Sequence, residues 1–144
     1  MPIEDLCSTE ELRAVELLSR VRHGRLATTM SAMLTVVPAR HIVSGSFVLL
    51  RLHRRPGYHH ACAGTVVAYG ADDLDSAAAV HWSVQITGTA ELTLPAEEEI
   101  VRFGPSPRQV DGEPFEPVYM RLTPRFVTVH TLDYSGQRHQ RHAG

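Results

Sequence analysis

Between residues 51 and 60 the chain reads RLHRRPGYHH, which places three arginines and three histidines within ten positions. A guanidinium is a planar fork whose N–H groups match the oxygens of a phosphate. Arg51, Arg54, Arg55, His53, His59 and His60 are therefore candidates for contact with an anion; the competing reading is a charged surface loop. Adjacent residues on a helix point about a hundred degrees apart, so His59 and His60 do not suit one metal ion. A lone histidine can ligate haem iron, which leaves haem on His53, His59 or His60 as a minor alternative. All 14 cationic residues are arginine, and the absence of lysine excludes Schiff-base chemistry. Ser83 lacks the glycine pattern of a nucleophile elbow, and no nucleophile–base–acid triad is evident. Asp72, Asp73 and Asp75 lack the spacing of a calcium loop and read as caps of a turn. Cys7 and Cys62 have no CxxC spacing, so neither a zinc site nor a disulfide framework follows. Cys62 reads as a buried small residue.

The elements that must position these groups are mostly strands. In VHWSVQITGTAEL (80–92), Trp82, Val84, Ile86, Gly88, Ala90 and Leu92 fall on one side and polar residues on the other, the period of a half-buried strand. Gly88 within it predicts a bulge, a bend or close backbone approach. FVLLRL (47–52) is apolar on both faces, so it is buried on both sides or lies beneath a helix. Strands are also expected at 25–31, at 34–43 with Pro38 marking an edge or bulge, and at 65–70. Two closing strands, 118–123 and 126–132, are expected on either side of Pro124. A first helix is predicted over 8–22, with Ser8 and Glu11 as a capping box and Gly24 ending the segment. A short helix fits within 53–64, and another follows Pro95 with acids in its first turn. Residues 104–117, rich in proline, read as a restricted loop. The total is about seven strands and two or three short helices without regular alternation, which favours a small antiparallel barrel over a doubly wound sheet.

The length of 144 residues suits one domain, placed at 1–135, with a flexible tail at 136–144 that carries His139 and His142. Hydrophobic residues at 43% and charged residues at 21% describe an ordinary globular chain, and a net charge of −2 argues against nucleic-acid binding. The first residues, MPIEDLCSTEEL, have no apolar core of a signal peptide, and no run is long enough to span a membrane. A reduced cytoplasmic setting is the expectation.

The order of several short motifs resembles the pyridoxamine 5′-phosphate oxidase-like family, the flavin-binding split barrels, from about Ser8 to Val129. STEEL is followed by Gly24–Thr28 (GRLAT), then by Val36-Val37-Pro38 and by Arg51 at a strand end. Val66–Tyr69 with Asp72–Asp75 is similar to the family's V-A-F-x-x-D-D run. Trp82-Ser83-Val84 with Gly88-Thr89-Ala90 is similar to its W-S-V…G-x-A strand, and Arg121–Pro124 to its late R-I-x-P.

The resemblance implies a mainly β fold: a split, Greek-key antiparallel barrel with short peripheral helices. It implies a homodimer with a cofactor groove between subunits, FMN in that groove (F420 as the alternative) and hydride or electron transfer to an unknown small molecule. Carried onto this sequence, the cofactor residues are Val36 and Val37 through their backbone, Arg51 toward the phosphate, and Trp82 with Ser83 at the border; His53, Arg55 and His59 of the following loop are expected to take over part of the phosphate charge. Trp82 shares a face with Val84 and Ile86 and equally fills a barrel core, while Ser83 faces the other way. Leu52 stands where the family often has a hydroxyl, and the following loop lacks the family's lysine. That departure supports a second expectation, a diverged, non-catalytic barrel that binds flavin, F420, haem or no cofactor.

Overall fold

The computed structural model describes residues 9–55 and 57–136. The expected cap at Ser8, Cys7 and the tail beyond Gly136 lie outside them. The first helix, α1 (Thr9–Leu18), stops short of the predicted 22, because β1 (His23–Met30) already begins two residues before the expected start. Gly24 thus lies inside a strand and does not end a helix. Its need is spatial: a Cβ there would collide with the Gly70 carbonyl and the Tyr69 ring. A two-residue turn at Ser31-Ala32, both at positive φ, leads into β2 (Met33–Ser44). Gly45-Ser46 then turns into β3 (Phe47–His53). After α2 (Tyr58–Cys62) come β4 (Thr65–Asp72), β5 (Val80–Leu92) and α3 (Glu97–Phe103).

Residues 104–117, expected as a plain loop, contain a small hairpin of β6 (Gln109–Val110) and β7 (Glu113–Pro114). Its turn is Asp111-Gly112, both at positive φ, and a two-residue Asp-Gly connection is a strong hairpin signal that could have been read from the sequence. The two expected closing strands are one, β8 (Pro117–Asp133). Pro124 does not break it. The ladder with β5 instead shifts between Thr87 and Gly88, since Phe126 faces Thr87 and Pro124 faces Gly88, which leaves Arg125 as an extra residue. Before the bulge Val118, Met120 and Leu122 are buried in the core; after it Val127 and Val129 pack there. One added residue reverses which parity points inward. Gly88 meets two of its three expectations: it sits beside the bulge, and a Cβ there would overlap the Thr123 carbonyl across the ladder.

Six strands close into an antiparallel barrel in the order β1-β2-β3-β8-β5-β4. The run β4-β1-β2-β3 is the Greek-key order, three strands in sequence with the fourth returning beside the first. Trp82, Val84, Ile86 and Ala90 are buried as the alternation predicts, and only Leu92 at the strand end is exposed. Ala14, Leu17 and Leu18 of α1 join the same core. Beneath that helix end, His41 is buried: its Nε2–H donates to the Leu18 carbonyl at 2.9 Å and its Nδ1 lies 2.5 Å from the Tyr69 hydroxyl. The outer face of β3 lies beneath a helix, as expected. Leu49 packs with Ile42 and with Phe103 of α3, so cover for that face comes from within the chain. Cys62 is fully buried, and burial pushes its thiol pKa up.

Candidate functional site

The site begins where the barrel stops being a sheet. Strands β2 and β3 pair from Ser44↔Phe47 back to Arg40↔Arg51, and there the ladder ends. Beyond it β2 keeps only β1 as a neighbour and β3 keeps only β8. Pro38, which has no N–H to offer, sits in this single-neighboured half of β2, so its expected edge position is met. Roughly half of the β2 backbone polar groups here have no strand to pair with, because strand groups alternate between the two sides.

The gap is a cleft of about 690 Å³. Val36, Val37, Pro38, Ala39 and Leu52 form its strand walls, Tyr58 and Phe115 add aromatic surface, and His23, Arg40, Arg51, His53 and Arg55 supply polar groups. Asp111 and Glu113 of the hairpin close the far side. A mostly apolar cleft with a few convergent polar groups, within the size range of small-molecule sites, is the usual form of a ligand site.

Two arginines directly opposite each other across a ladder should repel. Here the end of α3 compensates. Arg40 Nε donates to the Phe103 carbonyl at 2.9 Å and its Nη2 to that of Arg102 at 3.0 Å. Arg51 donates to the carbonyls of Gly104 at 2.9 Å and Pro105 at 3.1 Å. Four successive carbonyls at a helix C-terminus, where the dipole is negative, thus receive two cations. The Arg51 guanidinium also lies 5.5 Å from the Phe103 ring centroid, and the residue is only 6% exposed. The other end of α3 is tied down through Glu99, which accepts from the Ser44 hydroxyl at 2.5 Å and the Ala96 N–H at 2.8 Å. Burial first, then Arg40 and Arg51, hold the His23 pKa below the ordinary imidazole value, which favours the neutral ring.

Val36, Val37, Arg51, His53 and Arg55 therefore converge on one cleft. His53 accepts the Glu116 N–H on Nδ1 at 3.1 Å and stacks on Phe115. His59, Trp82 and Ser83 do not line this cleft. His59 is buried in α2 with Nδ1 unpartnered, and its ring is 3.9 Å from that of His60. Trp82 packs in the barrel core. Ser83, pointing the other way as its parity requires, lines a second cleft of about 740 Å³ with Arg25, Asp72, Asp75 and Gln85, and the two clefts meet at His23 and Pro38. Leu52 is buried in the core, so no hydroxyl stands beside Arg51 at that position.

Asp72 and Asp73 cap backbone as expected, accepting the N–H of Leu74 at 3.0 Å and of Trp82 at 2.8 Å. Ser76, His81 and Asp73 cluster but form no triad, because the serine oxygen and the aspartate both approach Nδ1 of His81. The residue that sequence reasoning missed is Arg40. Its signal was its place two positions after Pro38 on the outward parity of a strand, but its pairing with Arg51 is set by register.

The family model for pyridoxamine 5′-phosphate oxidase matches residues 10–131. The chain belongs to this family. An uncharacterized protein, Rv0080, of Mycobacterium tuberculosis is 38% identical over 96 residues, and the match spans 62% of this chain and 62% of that protein's length. The FAD binding protein from Mycobacterium smegmatis superposes with a TM-score of 0.63 at 22% identity, over 85% of this chain and 94% of that one. The FAD and haem binding protein from the same organism gives 0.64 at 15% identity, over 95% and 80%. At these identities the two structures establish a shared fold with this member of the pyridoxamine 5′-phosphate oxidase family. Among the described residues no helix is long and apolar enough to cross a membrane.

Proposed function

We propose that the cleft between β2 and β3 binds a flavin, with FMN the first assignment and F420 the alternative, and that the protein is a flavin-dependent oxidoreductase acting on a small molecule. The observation that carries this reading is the parting of the two strands at Arg40↔Arg51, which puts unpaired backbone groups, apolar walls and cations in one cleft. That donor set fits a planar apolar ring with a polar edge and an anionic tail. Family membership and the FAD-binding relatives support the flavin class. The bound flavin supplies hydride or electron transfer. In this reading the Val36 and Val37 backbone meets the polar edge of the ring, while Val37, Pro38 and Leu52 keep water from it. Arg55 and His53 lie at the anionic end, and Arg51 holds the wall that frames it.

A second copy of the chain completes the site in this proposal. Residues paired across the ladders give an outward row of Val36, Ala27, Ala68, Thr87 and Phe126. Val36 is 55% exposed and Phe126 73%. A mostly apolar row with exposed ends suits a contact surface, and a partner there would bring a second set of Ser83 and Gln85 toward the groove.

The test is a spectrum of freshly purified protein with FMN and F420 titrations, read beside its mass by light scattering. Flavin absorption or saturable binding by a dimer is expected; a colourless protein that binds neither overturns the oxidoreductase reading. The second reading, a barrel without cofactor chemistry, is favoured by one observation: the Arg51 guanidinium already has two carbonyl partners.

A further inference from the structure

All three arginines of the cleft are engaged by one stretch of chain, residues 102–116. Arg40 and Arg51 hold its first four carbonyls at 2.9–3.1 Å. Arg55 is different. Its partners are carboxylates, Glu113 at 3.4 Å and Glu116 at 3.9 Å, and its side chain is 63% exposed. The two kinds of contact are unequal. Charge-assisted hydrogen bonds at normal length to fixed backbone carbonyls, backed by the Phe103 ring, hold a guanidinium in place. A long ion pair in water is weak and screened by salt.

We propose that Glu113 and Glu116 form an electrostatic latch over the cleft: their carboxylates occupy the exchangeable cation, Arg55, and an anionic ligand tail enters by displacing them. The inference rests on the flavin reading of the cleft and adds its regulation. The chain is built to let one end go. Glu113 belongs to a hairpin of two two-residue strands turning at Asp111-Gly112. Glu116 has its main chain fixed by the Arg54 N–H at 2.8 Å and by His53 Nδ1 at 3.1 Å. The hairpin hinges beside an anchored residue, and Glu113, the nearer carboxylate, leaves with it. A phosphate outcompetes a carboxylate at Arg55 because it brings more charge and more acceptor oxygens to the same fork. A neutral ligand gains nothing from the exchange, so the latch selects for anionic tails.

The experiment compares FMN with riboflavin, which lacks the phosphate, by calorimetric titration at low salt. The wild type is measured beside Glu113→Gln, the double variant Glu113→Gln/Glu116→Gln, and Glu91→Gln, whose carboxylate pairs with the distant Arg121. The double variant is expected to bind FMN about two- to five-fold more tightly, the range of one exposed ion pair, with riboflavin and Glu91→Gln unchanged and the gain lost at 1 M salt. Unchanged or weaker FMN binding, or an equal gain for riboflavin, overturns the latch. If no variant binds FMN or riboflavin, the FMN assignment falls and inorganic pyrophosphate becomes the probe. Tighter pyrophosphate binding in the double variant upholds the latch on its own, and equal or absent binding in wild type and double variant overturns it.

Discussion

Two seams of the same barrel are handled in opposite ways. Strands β5 and β8 stay paired over thirteen residue pairs, from Val80↔Asp133 to Leu92↔Met120. Strands β2 and β3 part after five. The first seam carries one extra residue, Arg125, which bends the strand and adds twist, while the second comes apart. The bulge leaves one residue out of the ladder and keeps the two strands paired on both sides of it. The parting leaves backbone groups unpaired and two cations face to face, and those features make a cleft useful. In this barrel the candidate site lies where pairing ends, and the loose edge is held by carbonyls at the C-terminal end of α3.

The comparison breaks most readily at the closed seam. Gly88→Ala puts a methyl group into the Thr123 carbonyl, and since backbone cannot yield as a side chain does, a loss of about 3 kcal/mol is expected. Thermal and urea unfolding check it, and a variant within 0.5 kcal/mol of wild type (about the scatter of surface changes) would mean that the bulge is not fixed there. At the open seam Arg51→Leu removes two guanidinium hydrogen bonds, to the carbonyls of Gly104 and Pro105, for a loss of about 1–2 kcal/mol. Arg51→Lys, unable to span both with a fork, should recover at most about half of it. Urea midpoints of the two variants decide whether the fork or only the charge matters.

The smallest expected effect is on pH dependence, through His41, which pairs with Leu50 near the open seam. Burial is the chief cause that lowers its pKa, with Arg40 acting the same way and the Leu18 carbonyl opposing. Its pKa is thus lower folded than unfolded, so the unfolded chain takes up more protons as pH falls. The stability contribution is present above the ordinary imidazole value of about 6.5 and is lost as the pH falls below it. Urea unfolding at pH 7.5 and 5.5 is expected to show a lower midpoint at 5.5, with the difference reduced in His41→Gln.

What could be read from the sequence was what is local. Alternation in 80–92 identified β5 and the inward side of Trp82, and the doubly apolar 47–52 run announced a strand under a helix. Pro38 announced the edge. The single strand β8 was not legible, because a bulge reverses parity and so mimics two strands around Pro124. The partners of Arg51 were hidden for another reason. They are main-chain carbonyls more than fifty residues away, and a carbonyl leaves no mark in a sequence. The candidate site was half legible on the same grounds. Arg51, His53 and Arg55 were found by type and spacing, whereas Arg40 and the Glu113–Arg55 pair depend on register and on a hairpin whose Asp-Gly turn went unread.

The position of β8 between β3 and β5 carries a cost during synthesis. Until residues 117–133 leave the ribosome, both of those strands have one edge with nothing to bond, and the apolar interior is open along the gap. The nascent chain therefore waits, unsealed, for its last strand. Open edges of this kind are where neighbouring chains aggregate, so the segment that closes the wall also covers the edges most open to such pairing.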